Sequence, residues 1–134
     1  MWTIWFRSGA SDEANRHLCR GTKAMNRRDF EEALEHFDLA IAADPNFAEA
    51  YNQRAILHYL REDFDKCICD CQAAVERMPH HFGAWAGMGH CHAHQGRLKD
   101  AAHCYQKAID IHPSFGGVKQ VLEELRYRLE HAEP

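Results

Sequence analysis

Residues 82–115 read FGAWAGMGHCHAHQGRLKDAAHCYQKAIDIHPSF. The stretch divides at QGRL into two segments of about 12 to 14 residues, each with apolar side chains recurring at i, i+3, i+4 and i+7. That is the spacing of an amphipathic helix, not the alternation of a strand. The second segment stops at His112-Pro113, because the residue before a proline is pushed out of the helical region. The same punctuation occurs at Asp44-Pro45 and Met78-Pro79, so three prolines stand 34 residues apart with no insertion between them. A fixed period of this length marks a repeat architecture.

The register holds well beyond the prolines. Five residues before each lie Ala40, Ala74 and Ala108; eight before, Phe37, Cys71 and Tyr105; twelve before, Ala33, Cys67 and Ala101. Further back come Phe30, Phe64 and Leu98, then Gly21, Ala55 and Gly89, then His17, Tyr51 and Trp85. Each unit is thus a pair of helices broken near NRRD, REDF or QGRL, and no strand is required.

This arrangement of aromatic, Gly/Ala and Pro sites over 34 residues resembles the tetratricopeptide repeats, with residues 82–115 the nearest to the pattern and 48–81 the loosest. The resemblance covers about residues 14–115 and implies an all-α fold. In it, three helix-turn-helix units, 14–47, 48–81 and 82–115, stack into a right-handed superhelix whose first helices line a concave groove. Arg28 and Glu62 depart from the pattern, standing where the third unit has Gly96. If that backbone needs φ > 0, each costs on the order of 1 kcal/mol against glycine. Residues 116–131 place Val118, Val121 or Leu122, Leu125 and Leu129 along one helical face and read as a capping helix, which a repeat array needs to cover its last stacking face. Ser11 or Asp12 is positioned to cap the first helix.

Length, 134 residues and 15.5 kDa, suits one domain able to bury its own core. A formal charge of −4, with acidic and basic residues interspersed, gives no footprint for nucleic acid or an anionic membrane. Six cysteines without a CxxC pair read as free thiols in a reducing compartment, hence a cytoplasmic protein. The opening MWTIWF lacks the basic flank and apolar length of a signal peptide, and no run approaches the roughly 20 apolar residues that span a bilayer.

GMGHCHAHQG, residues 87–96, looks like a ligand cluster until it is placed in register. Cys91 falls on an interior site that wants a small residue. His92 shares the site of His58, which relatives fill with tyrosine, and both are expected to pack with one polar tip satisfied. Gly89 lets helices approach and Gly96 fits the turn. His90 and His94, one turn apart, fall on positions that the resemblance aims at the groove. They could share a divalent ion, but two ligands are too few, so no resident metal or cofactor is expected. In KCICDC, Cys67 and Cys71 occupy core sites, while Cys69 points elsewhere as an exposed, oxidisable thiol. No GxSxG, P-loop, HExxH or dinucleotide fingerprint occurs, and the residues offer no catalytic constellation.

By resemblance the groove takes Asn15, Leu18, Cys19, Thr22, Met25 and Asn26 from the first unit. The second supplies Glu49, Asn52, Gln53, Ile56, Tyr59 and Leu60, and the third Gly83, Ala86, Gly87, His90, Ala93 and His94. Only Glu49 is fully charged, a surface suited to a bulky apolar or neutral polar segment of a partner protein. The best-known subclass clamps the acidic C-termini of heat-shock chaperones with lysines, an arginine and asparagines. Here those five sites hold Leu18, Thr22, Gln53, Gly83 and Gly87, none of them a cation, so an acidic tail is not the expected ligand.

The reading is therefore a non-enzymatic scaffold or adaptor. Two alternatives stay open: a metal or thiol redox role through His90 and His94 or the cysteines, and self-association into a homo-oligomer. For the second, the N-terminal segment 1–13 matters, since Trp2 and Trp5 or Phe6 either pack as an extra turn or occupy a groove.

Overall fold

In the computed structural model, residues 11–114 and 116–131 are described, and they form seven helices with no strand among them. The segment MWTIWF lies outside the described residues. The helices are α1 (Asp12–Asn26), α2 (Phe30–Ala43), α3 (Ala48–Leu60), α4 (Phe64–Arg77), α5 (Phe82–His94), α6 (Leu98–Ile111) and α7 (Val118–Glu130). Packing is between neighbours along the chain: α1 on α2, α3 on α4 and α5 on α6 within pairs, then α2 on α3, α4 on α5 and α6 on α7. Additional contacts of α1 with α3 and of α3 with α5 make these three helices one continuous layer.

The short inter-helix breaks follow from one device used three times. At the end of α1, Arg28 N–H donates to the Met25 carbonyl and Asp29 N–H to that of Ala24. At α3, Glu62 donates to Tyr59 and Asp63 to His58; at α5, Gly96 donates to Ala93 and Arg97 to His92. These crossed bonds satisfy the last carbonyls of each helix and require a left-handed residue in the middle. Accordingly φ is 69° at Arg28, 61° at Glu62 and 79° at Gly96. The residue after it already caps the next helix, so three residues suffice for the reversal; Asp29 does so with a side-chain bond, its Oδ1 accepting from Glu32 N–H. At the other joints, Asp44, Met78 and His112 leave the helix with φ between −138° and −147°, as the following prolines dictate. Ser11 caps α1, its hydroxyl accepting from Ala14 N–H at 3.0 Å.

The repeating core positions are buried as their register requires: Ala33, Phe37 and Ala40, then Cys67, Cys71 and Ala74, then Ala101, Tyr105 and Ala108. Ring and glycine are matched across each pair. A methyl group on Gly21 would lie 2.6 Å from the Phe37 ring, and one on Gly89 would lie 2.7 Å from the Tyr105 ring. In the middle repeat the ring is replaced by Cys71, and there the small partner is Ala55. Tyr51 and Trp85, at equivalent sites, donate to the carbonyls of Pro45 and Pro79, each at 3.0 Å, and so tie each pair to the preceding joint. The Arg54 guanidinium holds Asp70 bidentately at 2.8 Å and reaches Asp38 on α2 at 2.8 Å, clamping α2, α3 and α4 together. α7 closes the array with Val118, Leu122 and Leu125 buried; Val121 is partly exposed and Leu129 half-buried. Leu122, not Val121, therefore fills the core position.

Candidate functional site

α3 and α5 run side by side with α4 behind them, and between them opens a cavity of about 210 Å³. Its walls are Asn52, Ala55, Ile56 and Tyr59 from α3 and Gly83, Ala86, Gly87 and His90 from α5, with Cys67 and Cys71 of α4 behind. Seven residues expected at the groove are thus brought together here. Small side chains explain the opening: a methyl on Gly87 would already approach Cys71 Sγ to 3.1 Å.

The histidines of α5 are held in distinct ways. His90 Nδ1 lies 2.6 Å from the Tyr105 hydroxyl. With the phenol donating, the proton of neutral His90 resides on Nε2, leaving a fixed donor beside the cavity. Burial, reinforced by His94, pushes the His90 pKa below the ordinary value, so the ring is neutral near pH 7. His94 is exposed, its Nε2 2.9 Å from the Tyr59 hydroxyl and its ring stacked on Phe64 at 4.8 Å. The two histidines, one turn apart and expected to face the groove, are each engaged by a tyrosine. Among the described residues no three His, Cys, Asp or Glu side chains are disposed to hold a metal.

His58 and His92 share a helical site but not an environment. His58 Nε2 sits 3.6 Å from Asp70 Oδ2, whereas His92 Nδ1 is buried without a hydrogen-bond partner. In the third repeat the site of Asp70 is Cys104, which offers no carboxylate. His58 thus has a carboxylate beside it, and this nitrogen of His92 has no partner.

Glu49, the one charge expected in the groove, is internally paired. Its carboxylate accepts from Gln53 Nε2 and from His81 Nε2, both at 2.8 Å, while His81 Nδ1 accepts Ala84 N–H and caps α5. Burial opposes the charged form, but these hydrogen bonds outweigh it and hold the Glu49 carboxyl below the usual range. In α1, Asn15, Cys19 and Asn26 are exposed and Thr22 half-buried. Leu18 packs against the first core cluster, and Met25, only 6 % exposed, belongs to that core with Ala24, Phe37 and Leu57, so it offers the groove little surface. Leu60 is 42 % exposed beyond the cavity.

One contribution was missed in the sequence. Ala93 shares a second cavity of about 170 Å³ with Val121, Glu124, Leu125 and Arg128, so α7 extends the lining past the third repeat. The ambiguity between Val121 and Leu122 was the available signal: two adjacent apolar residues on a helix cannot both face the same core.

Models of the tetratricopeptide repeat match residues 83–115 and 20–66. With the three in-register helix pairs, these matches show that the chain belongs to the tetratricopeptide repeat family. A TPR repeat-containing protein of Rhizobium etli is 30% identical over 92 residues, 69% of this chain and 45% of that protein. Small glutamine-rich tetratricopeptide repeat-containing protein 2 of Saccharomyces cerevisiae is 30% identical over the same length, 27% of its own chain. The chain spans less than half the length of these curated relatives. Among solved structures, the first TPR of Spaghetti (RPAP3), bound to the HSP90 peptide SRMEEVD, superposes with a TM-score of 0.85 at 20% identity, covering 90% of this chain and 95% of that one. The Arabidopsis OM64 TPR domain gives 0.84 at 20% identity, covering 87% and 97%. No described helix is long and apolar enough to cross a membrane.

Proposed function

We propose that this chain is a protein-interaction module, a scaffold or adaptor. It holds a segment of a partner protein along α1, α3 and α5, across the units 14–47, 48–81 and 82–115, with 116–131 as the cap. The cavity between α3 and α5 carries this reading. An apolar cavity of roughly 150 Å³ admits a benzene ring, so one of about 210 Å³ takes a bulky aliphatic or aromatic side chain. The neutral His90 provides a donor for a backbone carbonyl of the same segment.

The preferred segment is uncharged at this anchor and not an acidic tail. The solved relative was bound to an acidic HSP90 peptide, but Leu18, Thr22, Gln53, Gly83 and Gly87 supply no cation to hold carboxylates. Burying one large apolar side chain is worth about 1.5–3 kcal/mol, or roughly 10- to 100-fold in affinity.

The test uses the intact chain and fluorescence anisotropy, comparing SRMEEVD with a library of neutral peptides carrying single Leu, Met, Phe or Trp anchors. Ile56 is 38 % exposed at the cavity, so Ile56→Glu alters the site at little cost to the fold. Neutral anchored peptides are expected to bind and to lose at least roughly tenfold in Ile56→Glu. Tighter binding of SRMEEVD, indifferent to that substitution, would refute the proposal.

A further inference from the structure

Beneath the cavity, α4, α5 and α6 bring four buried thiols together: Cys67, Cys71, Cys91 and Cys104. Two of them, 24 residues apart on successive repeats, are in direct contact, with Cys67 Sγ 2.7 Å from Cys91 Sγ. They are free, yet only a fraction of an ångström separates that approach from the roughly 2.05 Å of a disulfide. Cys71 is the obvious competitor, one turn along α4 from Cys67. Side chains at i and i+4 of a helix hold their Cβ atoms about 5–6 Å apart, whereas a disulfide needs about 3.5–4.5 Å. A Cys67–Cys71 bridge would have to distort α4, whereas the sulfurs of Cys67 and Cys91 already meet across the α4–α5 interface.

Access is unequal. Cys67 lines the cavity, while Cys91 is wholly enclosed. The exposed Cys69 and Cys19 lie elsewhere, Cys69 on the opposite side of α4 in a shallow depression with Arg54, Lys66 and Asp70. We propose that Cys67 and Cys91 form a site of reversible oxidative cross-linking that ties the second repeat to the third beneath the groove, with a small hydroperoxide entering through the cavity as oxidant.

The chemistry balances in two steps. Cys67 gives up its proton and its sulfur attacks the peroxide O–O bond, forming a sulfenic acid and releasing the alcohol, or water from hydrogen peroxide. Cys91 sulfur then displaces the sulfenic oxygen, which leaves as water with the Cys91 proton, and the S–S bond forms. Two thiols are oxidised and one peroxide is reduced. The surroundings set the rate. The Cys67 thiol is pushed well above the ordinary range by its hydrogen bond with Cys71, aided by burial, and that of Cys91 by its bond with Cys67 and by burial. Thiolate is scarce near neutrality, so cross-linking is slow and accelerates with pH. In a repeat array, stability is a sum of unit and interface contributions, and a covalent tie across the α4–α5 interface makes the two repeats unfold together.

The intact chain, treated with hydrogen peroxide, is alkylated, digested and mapped by mass spectrometry. The expected product is monomeric, two hydrogens lighter, with Cys67 joined to Cys91, and is reversed by dithiothreitol. Its rate of formation rises from about pH 7 to about pH 9, and its thermal midpoint lies above that of the reduced chain. Cys19→Ala and Cys69→Ala should leave the product unchanged, and Cys91→Ala, checked for folding by circular dichroism, should abolish it. Oxidation confined to Cys19 and Cys69, a Cys67–Cys71 link, or only intermolecular dimers would overturn the proposal, and the wild-type map decides this even if a variant fails to fold.

Discussion

Glu62 holds φ at 61° where the third repeat has Gly96 at 79°, and both make the same backbone bonds. A left-handed conformation costs an L-residue roughly 1–2 kcal/mol. Glycine removes that cost but loses more conformational freedom on folding, a penalty of about 0.5–1 kcal/mol. The difference leaves Glu62→Gly stabilising by about 0.5–1 kcal/mol. Unfolding entropy near 2.1 cal/mol/K per residue over 134 residues converts this to a rise of about 2–4 °C. Glu62 is the cleaner of the two sites, since the Arg28 guanidinium lies 5.9 Å over the Phe30 ring and its removal would subtract a cation–π contact. Thermal and urea melts followed by far-ultraviolet circular dichroism measure the change. The reciprocal Gly96→Ala has room for its methyl, with nothing within 4 Å, so it reports backbone strain less the entropy alanine removes from the unfolded chain and should cost about 0.5–1 kcal/mol. If Glu62→Gly lowers the midpoint, or if Gly96→Ala leaves it unchanged, the three turns do not share the strain argued here.

Gly89→Ala sets helix propensity against packing. It gains about 1 kcal/mol as an alanine in a helix but forces a methyl to 2.7 Å from the fully buried Tyr105 ring, an overpacking cost of about 1–3 kcal/mol, so urea melts should show net destabilisation of about 1 kcal/mol. Acidification is also informative, because burial lowers the pKa of His58, His90 and His92 in the folded chain. Between those depressed values and the ordinary value near 6.5 the unfolded chain binds more protons, so stability is complete above about pH 7 and falls toward pH 5. The Glu49 carboxyl, held below the usual range, loses its contribution only at lower pH. Urea midpoints across this range are the measurement: His90→Gln should flatten the slope, and a flat wild-type profile would contradict the assignment.

Much of the fold was legible because its determinants are local. Proline fixes the joints, the residue before it leaves the helix, and the 34-residue register identifies the core positions Ala33, Phe37 and Ala40 with their counterparts in the next two repeats, though not Leu57 or Met25. Even the strain at Arg28 and Glu62 could be read from alignment with Gly96. The site was less legible, because its decisive contacts cross the register. The Tyr105 hydroxyl that orients His90 comes from α6, and His81, which donates a hydrogen bond to Glu49, stands 32 residues away in a joint. Cys67 and Cys71 were read as core, which they are, but nothing in their spacing shows that the cavity between α3 and α5 reaches them. Placing Met25 by repeat position also ignored its own packing: a long flexible side chain between Phe37 and Leu57 is drawn into the core.

The cavity itself follows from the middle repeat's departure from its neighbours. In the first and third repeats a ring fills the space at the centre of the helix pair and glycine yields to it, Phe37 against Gly21 and Tyr105 against Gly89. The middle repeat exchanges the ring for Cys71 and returns only one methyl, that of Ala55. A thiol and a methyl occupy less volume than an aromatic ring, and the facing positions on the next repeat are Gly83, Ala86 and Gly87, which cannot make up the difference. Close-packed interiors do not tolerate such a deficit without either collapse or an opening to the surface. Collapse is resisted on both sides, by the Arg54 clamp on α2, α3 and α4 and by the Tyr105–His90 bond that fixes α5 on α6. The weakest match to the repeat pattern and the chemically richest part of the groove are therefore the same feature. The residues that blur the repeat at Cys67 and Cys71 open the cavity between α3 and α5 and set a thiol pair beneath it.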